Sequence, residues 1–145
     1  MTVELGKSVA ELNLGERASF TKTISEADVY LFAGITGDFN PMHVNEDYAR
    51  QTKFGGRIAH GPLTASLIAP VLGMFLPGLG TVLLELNTKY LAPVRIGDTV
   101  TATAEVVSKD EAKNVAVLKC RWVNQAGTVV VEGEAKVKPP VKRSR

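Results

Sequence analysis

At 145 residues, with 45% hydrophobic and 22% charged residues, the chain has the size and composition of one globular domain with a substantial core. A formal net charge of +2, without aromatics interleaved among basic residues, excludes an electrostatic binder of nucleic acid. The single cysteine, Cys120, excludes an internal disulfide and argues against a cysteine-based metal site.

The longest apolar run, Leu63 to Pro77, is about fifteen residues, short of the roughly twenty that span a bilayer. The N-terminus lacks the charged-then-apolar pattern of a secretory signal. Neither a membrane nor a nucleic acid is therefore an expected partner, and the expected location is the cytoplasm.

Residues 1–15 read as an approach segment. Arg17 to Ile24 alternates and predicts a first strand, with Ala18, Phe20, Thr23 and Ile24 directed to the core. Ser25 and Asp28 then form a capping-box pattern ahead of SEADVYLFAGITG, and Gly37 suits the position just past a helix end. The next stretch, GDFNPMHVN from Gly37 to Asn45, gathers an acid, two amides, a proline and one of the two histidines. Asp38 and Asn40 favour a turn through side-chain bonds to nearby backbone, and Pro41 does so by fixing φ. Asn45 is placed to cap a second short helix, EDYARQ. His43 is thus expected in a short, stiff segment between two helices, five residues from Asp38. A carboxylate and an imidazole presented in this way suit one small shared target, such as a water.

TKFGGRIAHG reads as a glycine-rich loop. Pro62 opens a second helical segment, PLTASLIAPVLGMFL, whose hydrophobes lie on every face, as in a helix enclosed by other elements. Pro70 should kink or split it. Four strands are expected in succession: Leu79 to Tyr90, Thr99 to Val107, Val115 to Val123 and Thr128 to Lys138. Short connections between them imply antiparallel pairing. The whole is an α+β pattern with helices against one face of a sheet. Cys120 reads as a buried packing residue within a strand, and Trp122, Met42 and Met74 as core or interface packing. Residues 1–138 form one expected domain. Residues 139–145 form a basic, proline-broken flexible tail, either solvated or approaching the phosphates of a coenzyme A-like group.

The nine residues GDFNPMHVN resemble the hydratase motif of the MaoC-like family of (R)-specific enoyl-CoA hydratases and 3-hydroxyacyl dehydratases. Gly37, Asp38, Asn40, Pro41, His43 and Asn45 all match its pattern, and Tyr30 and Phe32 supply the aromatic lead-in. The resemblance covers roughly residues 10 to 138. It implies a hot-dog fold, a curved antiparallel sheet wrapped around a central helix at Pro62–Leu76. The implied reaction is (R)-specific hydration of trans-2-enoyl-CoA to (R)-3-hydroxyacyl-CoA, or the reverse dehydration, on coenzyme A or acyl-carrier-protein thioesters. Asp38 and His43 are the implied holders of the reacting water, and the Gly61 N–H the implied donor to the thioester oxygen. Asn40 supports the loop or holds the Asp38 side chain, and Pro41 supports the loop. His60 is a rival base, more simply explained as positioning the loop or touching the motif.

A serine that family members often carry later in this helix corresponds to Ala69, leaving Ser66 and Thr64 as local hydroxyls. Phe54, Leu63, Phe75 and Leu76 are candidates for contact with the acyl chain. No phosphate cradle and no metal-ligand spacing appears, so no cofactor and no metal is expected. The resemblance also implies a homodimer whose partner helps to wall the site around Gly61. The competing reading is a hot-dog protein that binds acyl thioesters without hydrating them, as a thioesterase or a non-catalytic helper subunit. The intact D-x-N-P-x-H set favours the hydratase.

Overall fold

In the computed structural model, residues 2–142 are described. In chain order the strands and helices are β1 (Arg17–Thr23), α1 (Glu26–Thr36), α2 (Pro41–Val44), α3 (Glu46–Arg50), α4 (Gly61–Ala65) and α5 (Ile68–Pro70). A π-helical turn, Val71–Phe75, leads into β2 (Val82–Tyr90), β3 (Thr99–Asp110), β4 (Val115–Val123) and β5 (Val129–Lys138). The strands form one sheet in the order β1-β3-β4-β5-β2, with every pairing antiparallel.

Pairing in simple succession holds for β3, β4 and β5 but not for β2, which lies on the far edge against β5. The reason lies in the β2–β3 connection, which is no tight hairpin. Leu91 N–H continues the β2 contact by donating to Val130 O at 2.8 Å, and Ile58 bridges Arg95 further along. The chain thereby crosses beneath the sheet before β3 begins. β2 itself starts at Val82, because residues 79–81 are taken up by a turn, Thr81 N–H donating to Gly78 O at 3.1 Å.

Alternation decides which side of the sheet is dry. Val100, Ala102, Ala104 and Val106 of β3 and Ala116, Leu118, Cys120 and Trp122 of β4 are all buried on one face. They pack with Ile68, Val71 and Leu72 of the helical segment, which the sheet curves around. Burial pushes the Cys120 thiol up to about 12, so it is a packing residue without nucleophilic character at neutral pH. The opposite face carries hydroxyl pairs between β1 and β3: Ser19–Thr103 at 2.7 Å, Thr21–Thr101 at 2.8 Å and Thr23–Thr99 at 2.7 Å. Thr23 therefore points away from the core, since it shares a face with Ser19 and Thr21 at the strand period of two.

The central helix is split, and the break falls one turn before Pro70. Leu67 N–H and Ala69 N–H bond back only three residues, to Thr64 O and Ser66 O. Proline removes the bond that would reach residue i−4, here Ser66, and its ring crowds that carbonyl. The disturbance therefore appears at Ser66 and Leu67 rather than at Pro70. Beyond it the chain widens into the π turn, closed by Leu76 N–H to Val71 O at 2.7 Å.

The ends are tied to this core. Gly6 N–H donates to Leu79 O at 2.9 Å, Lys7 N–H donates to Pro77 O at 2.8 Å, and Leu12 is fully buried, so the approach segment is a structural strap. Past β5, Pro139 and Pro140 are buried and Lys142 Nζ lies 2.9 Å from Glu11 Oε2. Residues 143–145 of the expected tail lie outside the described residues. Among the described residues, no helix is long and apolar enough to cross a membrane.

Gly133 is the tightest point of the β2–β5 pairing, where a Cβ would stand 1.8 Å from the Asn87 carbonyl oxygen. Gly133→Ala should therefore destabilise the fold by about 2 kcal/mol or more, at the upper end of overpacking costs. Urea denaturation checks this, and an unchanged midpoint would show that the edge strand shifts freely.

Candidate active site

The site is assembled from the end of α1, the turn after it, α2 and the start of α4. Ser25 caps α1 with the full capping box, its side chain accepting from Asp28 N–H while Asp28 accepts from Ser25 N–H. The helix stops at Gly37, whose φ of 82° is a left-handed conformation that glycine adopts without steric cost. This reversal puts Asp38 at the helix exit, its N–H donating to Thr36 Oγ1 at 3.2 Å.

The turn then becomes a helix of its own. Asn40 caps α2, its side-chain oxygen accepting from Met42 N–H at 3.2 Å, and Pro41 occupies the first turn. Asn45 ends α2 and caps α3 through Tyr48 N–H at 3.0 Å. His43 thus rides on a helical turn clamped by an asparagine at each end. Asn40 was expected to support the loop or to hold the Asp38 side chain, and its side chain is engaged in capping the turn. It is the Asn40 backbone N–H that donates to Asp38 Oδ1, at 3.1 Å.

With Oδ1 so held, Asp38 turns Oδ2 toward His43 Nε2, 3.9 Å away. The His43 side chain is 8% exposed and that of Asp38 is 50% exposed, so the pair joins a buried imidazole to a carboxylate at the rim. His43 Nδ1 lies 2.7 Å from the Ile58 carbonyl oxygen. A carbonyl only accepts, so Nδ1 carries the proton and, in the neutral ring, Nε2 presents a bare lone pair. Both groups facing the gap are then acceptors. A separation of 3.9 Å is too long for a direct hydrogen bond, but an oxygen about 2.8 Å from each fits between them. A water there donates one O–H to Nε2 and the other to Oδ2, leaving its lone pairs directed outward.

His60 backs this arrangement. Its ring stacks on His43 with centroids 3.9 Å apart and packs against Phe32 at 4.9 Å. Its Nε2 donates to the Asp38 carbonyl oxygen at 3.0 Å, while its Nδ1 is buried with no partner among the described residues. His60 therefore stands behind His43, in contact with the motif. Asp38, His43 and His60 each offer a ligand atom, all within 4.8 Å of one another, and they form a possible cation cluster. The nitrogens of both rings that face backbone carbonyls are already engaged as donors, which suits hydrogen bonding.

A cavity of about 490 Å³ opens beside His43, lined among others by Met42, Phe54, Gly61, Thr64, Tyr90 and Val131. Gly61 is the first residue of α4, where a helix N–H has no intrahelical acceptor. A Cβ there would meet the Tyr90 ring at 2.9 Å, so glycine keeps the wall open. Of the expected acyl contacts, Phe54 lines this cavity. Leu63 and Leu76 are buried in the core, and Phe75 is exposed on a separate surface with Met74.

Sequence reading missed two participants, Tyr90 and Arg57, and named Thr64 only as a local hydroxyl. Tyr90 reaches the cavity only because β2 crosses to the far edge. Thr64 Oγ1 is buried on its wall without a partner among the described residues. Arg57, in the expected glycine-rich loop, bonds Glu26, Tyr30 and Glu46 together. The hydrogen bonds from Arg57 are the largest influence lowering the carboxyls of Glu26 and Glu46 below their ordinary values, and the two glutamates raise Arg57 in turn. The chain distance from Arg57 to Glu26 hides this cluster from any local pattern.

A curved antiparallel sheet around a broken central helix, with an acid–imidazole pair at a cavity mouth, defines a hot-dog domain of the hydratase type. The family model for the MaoC-like domain matches residues 10–125, well over half of the 145-residue chain. An (R)-specific enoyl-CoA hydratase of Rhodospirillum rubrum is 50% identical over 132 residues, which cover 91% of each chain. Among solved structures, an (R)-hydratase from A. caviae involved in PHA biosynthesis superposes with a TM-score of 0.87 at 41% identity, covering 89% of this chain and 98% of that one. An R-hydratase from Pseudomonas aeruginosa, in its unliganded form, gives 0.88 at 39% identity, covering 97% and 93%. The chain belongs to the MaoC-like family.

Proposed function

We propose that this protein adds water to trans-2-enoyl-CoA to give (R)-3-hydroxyacyl-CoA, and catalyses the reverse dehydration, with the water held between Asp38 and His43. The observation that carries the reading is the 3.9 Å gap between two acceptors, Asp38 Oδ2 and His43 Nε2, at the edge of an apolar cavity. The activity printed for the Rhodospirillum rubrum relative supports the same reaction.

In hydration the water oxygen bonds to the β carbon as the C=C electron pair moves through the α carbon onto the thioester oxygen. The acid–imidazole pair accepts one proton from the water and returns one to the α carbon, so neither side chain is consumed. The developing negative charge on the thioester oxygen needs a donor fixed in advance. Gly61 N–H fills that role, with Pro62 beside it contributing no N–H. His60 acts by holding the Asp38 backbone and stacking on His43. A helper subunit has no use for the paired acceptors, and the activities printed for the relatives are hydration and dehydration rather than thioester hydrolysis.

Asp38→Asn and His43→Ala should each lower crotonyl-CoA hydration by about a hundredfold or more, the scale of a positioned acid or base. Because both act on one water, the double variant should be barely slower than either single one. Multiplying losses in spectrophotometric assays of the enoyl absorbance would contradict the shared water.

We also infer a homodimer. β2 is a sheet edge whose Val82, Leu83, Leu84 and Tyr90 are exposed, and such an edge favours pairing with a second chain. Tyr90 lies against Gly61, so a partner along β2 covers the site wall. Sedimentation at micromolar concentration should give a two-fold dimer, whereas a fully active monomer of 15.5 kDa contradicts the shared wall.

A further inference from the structure

His43 depends on one backbone carbonyl for its tautomer, and that carbonyl belongs to the residue after Arg57. Ile58 O accepts from His43 Nδ1 at 2.7 Å, and Ile58 N–H donates back to Met42 O at 3.2 Å. The loop is thus laced to α2 on both sides of one peptide unit. Residues 52–55 are tied to the end of α3 through Thr52 N–H and Oγ1 to Ala49 O and turn on themselves through Gly55 N–H to Thr52 O, but none of these bonds reaches α1.

Arg57 supplies that link. Its side chain is only 16% exposed. Nη1 donates to Glu26 Oε1 and to Tyr30 Oη, each at 2.7 Å, and Nε donates to Glu46 Oε2 at 2.8 Å. Tyr30 Oη in turn donates to Glu26 Oε1 at 2.9 Å, and the guanidinium lies over the Tyr30 ring at 5.7 Å. Glu26 and Tyr30 belong to α1, and Glu46 is the first residue of α3. These are the two helices that flank α2, which carries His43.

We propose that Arg57 is the positioning residue of His43: by clasping α1 to α3 across α2 it fixes the Ile58 carbonyl that keeps the proton on Nδ1 and the lone pair on Nε2. Its catalytic consequence rests on the reading of His43 as half of the water-holding pair; its structural content does not. A planar guanidinium with several fixed donors can span Glu26, Tyr30 and Glu46 at once, which a lysine ammonium on a flexible stem cannot. Ile58 keeps its own ties, its N–H to Met42 O, the bridge to Arg95 and the following Ala59 N–H to Val94 O at 2.7 Å, but without the clasp the chain entering it loses its anchor to α1 and α3. Displacement of a reacting group by about 1 Å costs about a hundredfold in rate.

The test uses the full-length protein, uniformly labelled with nitrogen-15, and long-range proton–nitrogen correlation of the two imidazoles at neutral pH. The wild type should show His43 protonated at Nδ1 and His60 protonated at Nε2, the second ring serving as an internal control. Arg57→Gln should convert the His43 signals to a mixture of the two tautomers and leave those of His60 in place. Its kcat for crotonyl-CoA should fall about tenfold to a hundredfold with KM held within about threefold, because the loss falls on the reacting geometry. Arg57→Lys keeps a cation between the two glutamates and thereby the fold, and it should show the same changes to a smaller degree. A folded variant with unaltered His43 signals overturns the proposal, whether or not its rate falls. If the wild type hydrates nothing, the reaction assignment fails, while the tautomer measurement, which needs no substrate, still decides the role of Arg57.

Discussion

The hydrogen bond from His43 Nδ1 to the Ile58 carbonyl is the contact on which the proposed chemistry depends. It is a single bond of 2.7 Å, yet it determines which nitrogen of a buried ring faces the cavity as an acceptor. With the opposite tautomer, Nε2–H would point at Asp38 and the two would attract each other directly, closing the gap that suits a water. The surrounding structure makes the bond compulsory. Asn40 and Asn45 hold the helical turn that carries the ring, and Ile58 is tied to Met42 in the same turn. His60 fills the space behind, so the ring has no room to rotate away.

The aspartate is governed by a different constraint. It sits at the exit of α1, where Gly37 reverses the chain, and each of its polar atoms on the loop side has an assigned partner: Thr36 for the N–H, His60 for the carbonyl and Asn40 N–H for Oδ1. Oδ2 is left facing His43. A half-exposed carboxylate beside a buried imidazole gives the pair one wet and one dry side, which in the proposed reaction admits water from solvent and leaves the apolar wall to the acyl chain.

Much of this was legible in the sequence because it is local. Capping boxes, a C-terminal glycine and the D-x-N-P-x-H spacing act over three to six residues, and there the expected helices and the Asp38–His43 juxtaposition agree with the structure. What was not legible is long-range. The position of β2 depends on how eight residues between strands bend around Ile58, and nothing in β2 itself distinguishes pairing with β3 from pairing with β5. The split of the central helix was expected at Pro70, but the lost hydrogen bond is felt four residues earlier, at Ser66. The helical character of Pro41–Val44 was hidden because four residues carry no periodicity. For Asn40 the sequence left two roles open, support of the loop and a hold on the Asp38 side chain, and composition does not show that its side chain takes the first and its N–H the second.

The central claim, that one water is delivered to one face of an enoyl thioester by Asp38 and His43, is tested most directly by the configuration of the product. Crotonyl-CoA should be converted to 3-hydroxybutyryl-CoA of the (R) configuration alone, resolved by chiral chromatography after release of the acid. A racemic product would contradict delivery of one water to one face, and an (S) product would contradict the (R)-specific reaction of the relatives.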